Sequence, residues 1–245
     1  MNRADFHGKT ALITGATKRI GREVALALGE AGADVIIHHR HSPTEAEELA
    51  EVLRGRGVKA WSIAADFVDG DQTEQLIPRV IDATAQLDIL VNNASVFQPS
   101  TIHDLDFAGL TLHMQVNAWA PLVLSRQFSV RSPVGNILNL LDTRIAGTDP
   151  THFGYILSKQ VLAALTEAMA QEFAPGITVN AIAPGLILPP PGKDQRYLDD
   201  LAKALPLKRH GAPSDIAEAA LYLLASDFVT GQIIFVDGGR RLMEH

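Results

Sequence analysis

The chain has 245 residues, 47% of them hydrophobic, and a formal net charge of −7. That length fits one large α/β domain with a sizeable core, and the acidic balance speaks against nucleic acid or an anionic membrane as the main partner. No apolar run approaches the ~20 residues that span a bilayer, and the absence of cysteine excludes disulfides and thiolate metal sites.

In chain order, short apolar runs alternate with longer helical patterns, the signature of a parallel sheet covered on both faces. Strands are predicted at Thr10–Thr14, Asp34–His38, Lys59–Ala64, Ile89–Asn92, Asn136–Leu141, Ile177–Ile182 and Ile233–Val236. Helices are predicted at Ile20–Ala31, Thr44–Arg56, Thr73–Gln86, Phe107–Val130, Gly154–Phe173 and Ser214–Ala225. The opening segment Met1–Gly8 lacks the apolar core of a secretory signal, so a cytoplasmic protein is expected. Ser42-Pro43-Thr44-Glu45 reads as a helix start with a capping serine, and Gly32 stands where the first helix should stop. Pro184–Gly192 is too proline-rich for a regular element, and residues 186–204 read as a lid containing a small helix. The expected fold is a single Rossmann-type doubly wound α/β domain with a seven-stranded parallel sheet and helices on both faces.

The cofactor end lies early in the chain. Thr14-Gly15-Ala16-Thr17-Lys18-Arg19-Ile20-Gly21 joins the first strand to the first helix, where backbone N–H groups and a helix N-terminus can hold a pyrophosphate. The usual fingerprint has glycine at position 19, and arginine there can add charge to phosphate binding or point at a substrate. After the second strand comes His38-His39-Arg40-His41-Ser42, with no acid before Glu45. Basic residues there suit a ribose 2′-phosphate, so NADPH is expected over NADH. The nine histidines show no metal spacing, and His38, His39 and His41 suit an anion better. Asp66 is placed to meet the adenine edge, with Phe67 beside it. Asn92-Asn93-Ala94-Ser95 ends the fourth strand with small residues that let backbone approach the cofactor.

The chemical end is Tyr155-Ile-Leu-Ser-Lys159, with Asp142 thirteen residues before the tyrosine. Tyr155 and Lys159 share a helix face, and an ammonium beside a phenol is expected to lower the tyrosine pKa toward neutral. Tyr155 is then the proton donor for hydride-transfer chemistry. Asp142 closes the fifth strand, where open α/β sheets bind ligands. Its carboxyl group can pair with an amino-pyrimidine edge or pass a proton to a ring nitrogen, so it suits a C=N substrate. Asn117 could hold a water that passes protons to Lys159, or be a plain buried polar residue. Phe97 could stack on a substrate or sit in the core.

Taken together, the glycine turn, Asp66, Asn92-Asn93-Ala94, Asn117, Tyr155-x3-Lys159, Pro184-Gly185 and Asp237-Gly238-Gly239 resemble the classical short-chain dehydrogenase/reductases over nearly the whole chain. Arginine for the middle glycine, aspartate for the catalytic serine, and Asn93-Ala94-Ser95-Val96-Phe97 look like the pteridine and dihydromonapterin reductase branch. The resemblance implies catalytic roles for Asp142, Tyr155, Lys159 and Asn117. It implies cofactor contacts from Gly15, Lys18, Arg19 and Ile20, from His39, Arg40 and His41, and from Asp66 and Phe67. Further cofactor contacts are implied for Asn93, Ala94 and Ser95, for Tyr155 and Lys159, and for Pro184, Gly185, Leu186 and Ile187. A pterin substrate would meet Arg19, Ser95, Phe97, Asp142 and Tyr155, with Phe97 stacking on it. A homo-oligomer, taken as a tetramer, is also implied, with Phe107–Val130 and Gly154–Phe173 as contact faces. The alternatives are an NADPH-dependent carbonyl reductase, for instance of a 3-oxoacyl thioester, and a non-catalytic NADPH-binding regulator.

Overall fold

The computed structural model describes residues 4–147, 149–190 and 192–243. Met1 to Arg3 of the opening segment and Pro191 of the lid lie outside the described residues. Seven parallel strands run in the order β3-β2-β1-β4-β5-β6-β7. They are β1 (Thr10–Ile13), β2 (Asp34–His39), β3 (Ala60–Ala64), β4 (Ile89–Asn92), β5 (Gly135–Leu140), β6 (Ile177–Pro184) and β7 (Ile233–Val236). The chain reverses its direction across the sheet between β1 and β4. At that switch point the carboxyl ends of the strands part and open a crevice.

Side chains alternate between two apolar layers, as period-two strands require. Ile13, Val35, Ile37, Ile89 and Val91 face α1 (Arg19–Glu30), α2 (Pro43–Arg54) and α8 (Pro213–Ala225). Leu12, Ile36, Leu90 and Ile137 face α3 (Gly70–Thr84), α5 (Ala120–Arg131) and α6 (Phe153–Glu172). No helix of the described residues is long and apolar enough to cross a membrane.

Every predicted strand and helix forms, with two local differences. The expected helix over Phe107–Val130 is α4 (Phe107–Met114) and α5 joined by one π-helical turn, Gln115–Trp119. Inserted turns of this kind often mark functional sites, and this one carries Asn117. Ser42 stands at the start of α2, but its side chain makes no capping bond, and Glu45 instead pairs with Lys18 at 2.8 Å. Pro43, with its φ preset for a first turn, starts that helix without the hydroxyl. The lid contains α7 (Gln195–Ala202), capped by the Asp194 carboxylate through the Tyr197 N–H. Gly32, with φ of +96°, ends α1 where expected.

Candidate active site

A cleft of about 800 Å³ opens along the carboxyl ends of the strands. Its floor on one side is the turn after β1. Gly15 has φ of +61°, and a Cβ there would stand 3.0 Å from the Ala94 Cα, so only bare backbone fits. Thr14 and Asn93 tie this turn to β4. The Thr14 Oγ1 accepts from the N–H groups of Asn93 and Ala94, both at 2.9 Å, and the Asn93 amide donates to the carbonyls of Thr14 and Gly15. Arg19 occupies the left-handed region at φ of +56°, where the usual glycine would be unstrained. Its guanidinium reaches across the cleft to donate to the Pro189 carbonyl of the lid at 3.1 Å.

Most of the expected cofactor residues line this cleft: Gly15, Lys18, Arg19, Ile20, Arg40, Asp66, Phe67, Asn93, Ala94 and Ser95, and Pro184 to Ile187. The histidines do not behave as an anion site. His38 is buried, its Nδ1 accepting from the Gly15 N–H at 3.1 Å while its Nε2 meets the Ala65 carbonyl at 3.0 Å. These partners require the neutral ring, and burial above all lowers its pKa to about 4. His38 stacks face to face on Phe67 at 4.5 Å, so both rings brace the turn. His39 is buried at the end of β2, its pKa also lowered by burial, and faces the Ser42 N–H. His41 stands 4.0 Å from Asp66. Neither His39 nor His41 lines the cleft, which leaves Arg40 as the basic residue there at the end of β2.

Asp142, Tyr155 and Lys159 meet at the other end. The Tyr155 hydroxyl donates to Asp142 Oδ2 at 3.3 Å, and the Lys159 ammonium donates to the Leu140 carbonyl at 2.7 Å. The expected ammonium–phenol pairing does not form, because Lys159 Nζ is turned to β5 and lies 5.8 Å from the Tyr155 ring centre. The direction of the tyrosine shift is therefore the reverse of the expected one. Burial first, and then the Asp142 carboxylate, push the Tyr155 pKa well above its ordinary value, with Arg144 opposing. Burial pulls Lys159 down to about 8. Tyr155 thus keeps its proton at neutral pH, as an acid for a reduction must.

Arg144 was not legible in the sequence, yet it is central to this end. It follows Asp142 in a short 3-10 turn, Thr143–Ala146, after β5. Its Nε and backbone N–H both donate to Asp142 Oδ1 at 2.9 Å, and Nη2 donates to Oδ2 at 2.8 Å. Nη1 donates to Asp149, whose carboxylate also faces Thr151 and His152. The guanidinium lies 5.3 Å from the Phe97 ring centre and 5.7 Å from that of Tyr155. Asp142 already receives four donors, counting Tyr155, a full complement for a carboxylate.

Phe97 is not in the core. It is 41% exposed, lines the cleft, stacks on His152 at 4.2 Å and meets Tyr155 edge-on at 4.7 Å. Asn117 is fully buried and does not line the cleft. Its Oδ1 accepts from the Val96 N–H and Ser95 hydroxyl, and its Nδ2 donates to the Val96 carbonyl and Ser158 Oγ. The side chain is thus committed to bracing the loop that presents Ser95 and Phe97, and of the two readings it fits the buried polar residue. From the lid, Leu188, Pro190, Tyr197, Leu198 and Leu201 add an apolar wall.

A family model described as enoyl-(acyl carrier protein) reductase matches residues 15–241. The chain belongs to the classical short-chain dehydrogenase/reductase family. Within that family it is 33% identical to the 3-oxoacyl-acyl-carrier-protein reductase FabG of Staphylococcus epidermidis, over 94% of this chain and 98% of the relative. A crystal structure of the FolM alternative dihydrofolate reductase 1 from Brucella suis, in complex with NADP, superposes with a TM-score of 0.91 at 33% identity, covering 96% of each chain. The Brucella canis counterpart, also with NADP, gives 0.90 at 32% identity, over 96% of this chain and 95% of that one.

Proposed function

We propose that this oxidoreductase transfers hydride from NADPH to a C=N bond of a pterin ring, with Tyr155 donating the proton. The observation that carries the reading is the Asp142 carboxylate, 3.3 Å from the Tyr155 hydroxyl and facing the same cleft as exposed Phe97. An aromatic face beside a carboxylate suits a flat, nitrogen-rich ring. The likeness to two NADP-bound alternative dihydrofolate reductases supports both the substrate class and the cofactor.

The residues present fit a dinucleotide. The Gly15 backbone and the start of α1 offer N–H groups to a pyrophosphate, and Arg40 offers charge to a 2′-phosphate. Bound NADPH would supply the hydride. Tyr155 would pass its proton to the ring nitrogen, since burial and Asp142 keep the phenol protonated until substrate arrives. Asp142 orients that hydroxyl, Lys159 tethers the α6 face to β5, and Phe97 stacks on the ring. Closure of the lid against Arg19 would exclude water. Arg40→Asp is expected to erase the preference for NADPH over NADH, because hydrogen bonds to charged groups contribute about 1.5–3 kcal/mol. Equal use of both cofactors by the unaltered enzyme would sink that assignment. A homo-oligomer with the Phe107–Val130 stretch as a contact face accords with exposed Phe107, Trp119 and Val130, and light scattering checks it.

A second reading, a carbonyl reductase acting on a 3-oxoacyl thioester, is favoured by one observation. Asp142 already receives three donors from Arg144, so an amino-pyrimidine edge would have to displace some of them. The FabG relatives point the same way. The deciding measurement is NADPH oxidation with dihydromonapterin, dihydrobiopterin, dihydrofolate and an acetoacetyl thioester. Turnover of the thioester without any dihydropterin would overturn the pterin reading.

A further inference from the structure

We infer that Arg144 is a positioning residue for the reaction, holding the Asp142 carboxylate in the one orientation that meets the Tyr155 hydroxyl. This rests on the reading that Tyr155 is the proton donor, but not on the substrate being a pterin. Three donors of one residue fix both oxygens of Asp142, and the guanidinium fork leaves the carboxylate no freedom to rotate. Both side chains are 16% exposed, so water competes weakly for either. Oδ2, which receives Nη2, is also the oxygen that accepts from Tyr155.

Arg144 is itself held from behind. Asp149, 10% exposed, receives Nη1 and is oriented by the Thr151 N–H and hydroxyl at 2.8 and 2.6 Å. His152 stands 3.1 Å from Asp149 and stacks on Phe97. The fork, the phenol and the exposed ring are thereby set by one connected group of side chains, from the loop after β5 to the start of α6. Arg144 reaches Tyr155 through Asp142, so its contribution should vanish when the carboxylate is gone. A residue that only supports the fold would keep its effect there.

The test is a double-mutant cycle on positions 142 and 144. Arg144→Gln should lower kcat by about 10²-fold, the loss that a misplacement of about 1 Å can bring, with KM changed less than about threefold. Arg144→Lys keeps the charge without the fork and should lose less, about tenfold, and it carries the test if the glutamine variant does not fold. In an Asp142→Asn background neither change should lower kcat further. The melting temperature of the cofactor-free protein gives a readout separate from turnover. There the Arg144→Gln penalty should shrink once Asp142→Asn removes one of the two carboxylates left without the guanidinium. Kinetics are run on whichever of dihydromonapterin or acetoacetyl thioester the unaltered enzyme reduces, so a failed pterin reading is seen in the choice of substrate. Losses that multiply in the double variant, or a loss confined to KM, would overturn the positioning role.

Discussion

Asp142 is the residue at which the two substrate readings part. A serine there could donate one hydrogen bond to a carbonyl oxygen, whereas the carboxylate only accepts while ionised. If a pterin is reduced, Asp142→Ser should retain the fold and NADPH binding but lower kcat/KM by orders of magnitude, since Tyr155 and Arg144 lose their common acceptor. Arg144 would still be paired with Asp149, so the variant does not bury an orphan charge. If a carbonyl is reduced, the serine's own donor to the carbonyl oxygen offsets the acceptor that Tyr155 loses, and the same change leaves activity intact or raises it. A serine variant that reduced dihydropterins as well as the unaltered enzyme would remove Asp142 from the mechanism. Tyr155→Phe tests the acid itself. The phenyl ring fills the same buried space, so NADPH should bind normally while turnover falls by about 10²–10⁴-fold, the usual contribution of general acid catalysis. Near-normal turnover would reassign the proton to another donor.

At the scale of elements, the order of the strands and of the helices between them could be read from the chain, apart from the π-helical turn Gln115–Trp119, because most bury a regular stripe. Ile13, Val35 and Ile37 alternate with Leu12 and Ile36 toward opposite layers, and only a covered parallel sheet accepts apolar residues on both sides. The loops were legible only in part. Gly15 announced its turn by its place after the first strand, and there a Cβ would be strained at φ of +61° and crowd Ala94. Arg144 and Asp149 gave no such signal, since their pairing depends on how a loop folds back after β5. Lys159 was placed on the right helix face, but periodicity does not say whether its ammonium seeks the Tyr155 phenol or the Leu140 carbonyl. Arg19 combines both kinds of information, a strained backbone position at the start of α1 and a side chain that reaches the lid. Arg19→Gly should relieve about 1–2 kcal/mol of left-handed strain, so the melting temperature should hold or rise. It also removes the donor to Pro189, and limited proteolysis within residues 186–204 should accelerate. A variant with an unchanged cleavage rate would show that this contact does not hold the lid.

Over the whole molecule, stability and the cofactor turn are joined through His38. In the folded protein this ring is buried and neutral, its pKa lowered by burial to about 4 from an ordinary 6.5. The unfolded chain therefore binds the extra proton first, and stability must fall as pH drops from about 6.5 toward 4. A shift of that size corresponds to about 3 kcal/mol, a large share of the usual stability of a domain. Protonation would also remove the acceptor for the Gly15 N–H, so the turn proposed to receive the pyrophosphate should loosen in the same pH range. Urea denaturation at pH 7 and pH 4.5 checks the first half. His38→Gln should be less stable than the unaltered protein at pH 7, because it loses the stacking on Phe67, yet it should lose less on acidification, by up to about 3 kcal/mol. NADPH binding followed over the same range checks the second half, and the variant should show a flatter profile there too. Equal acid slopes in both proteins would mean that the carboxylates, common to both, set the acid limit and that His38 has no part in it.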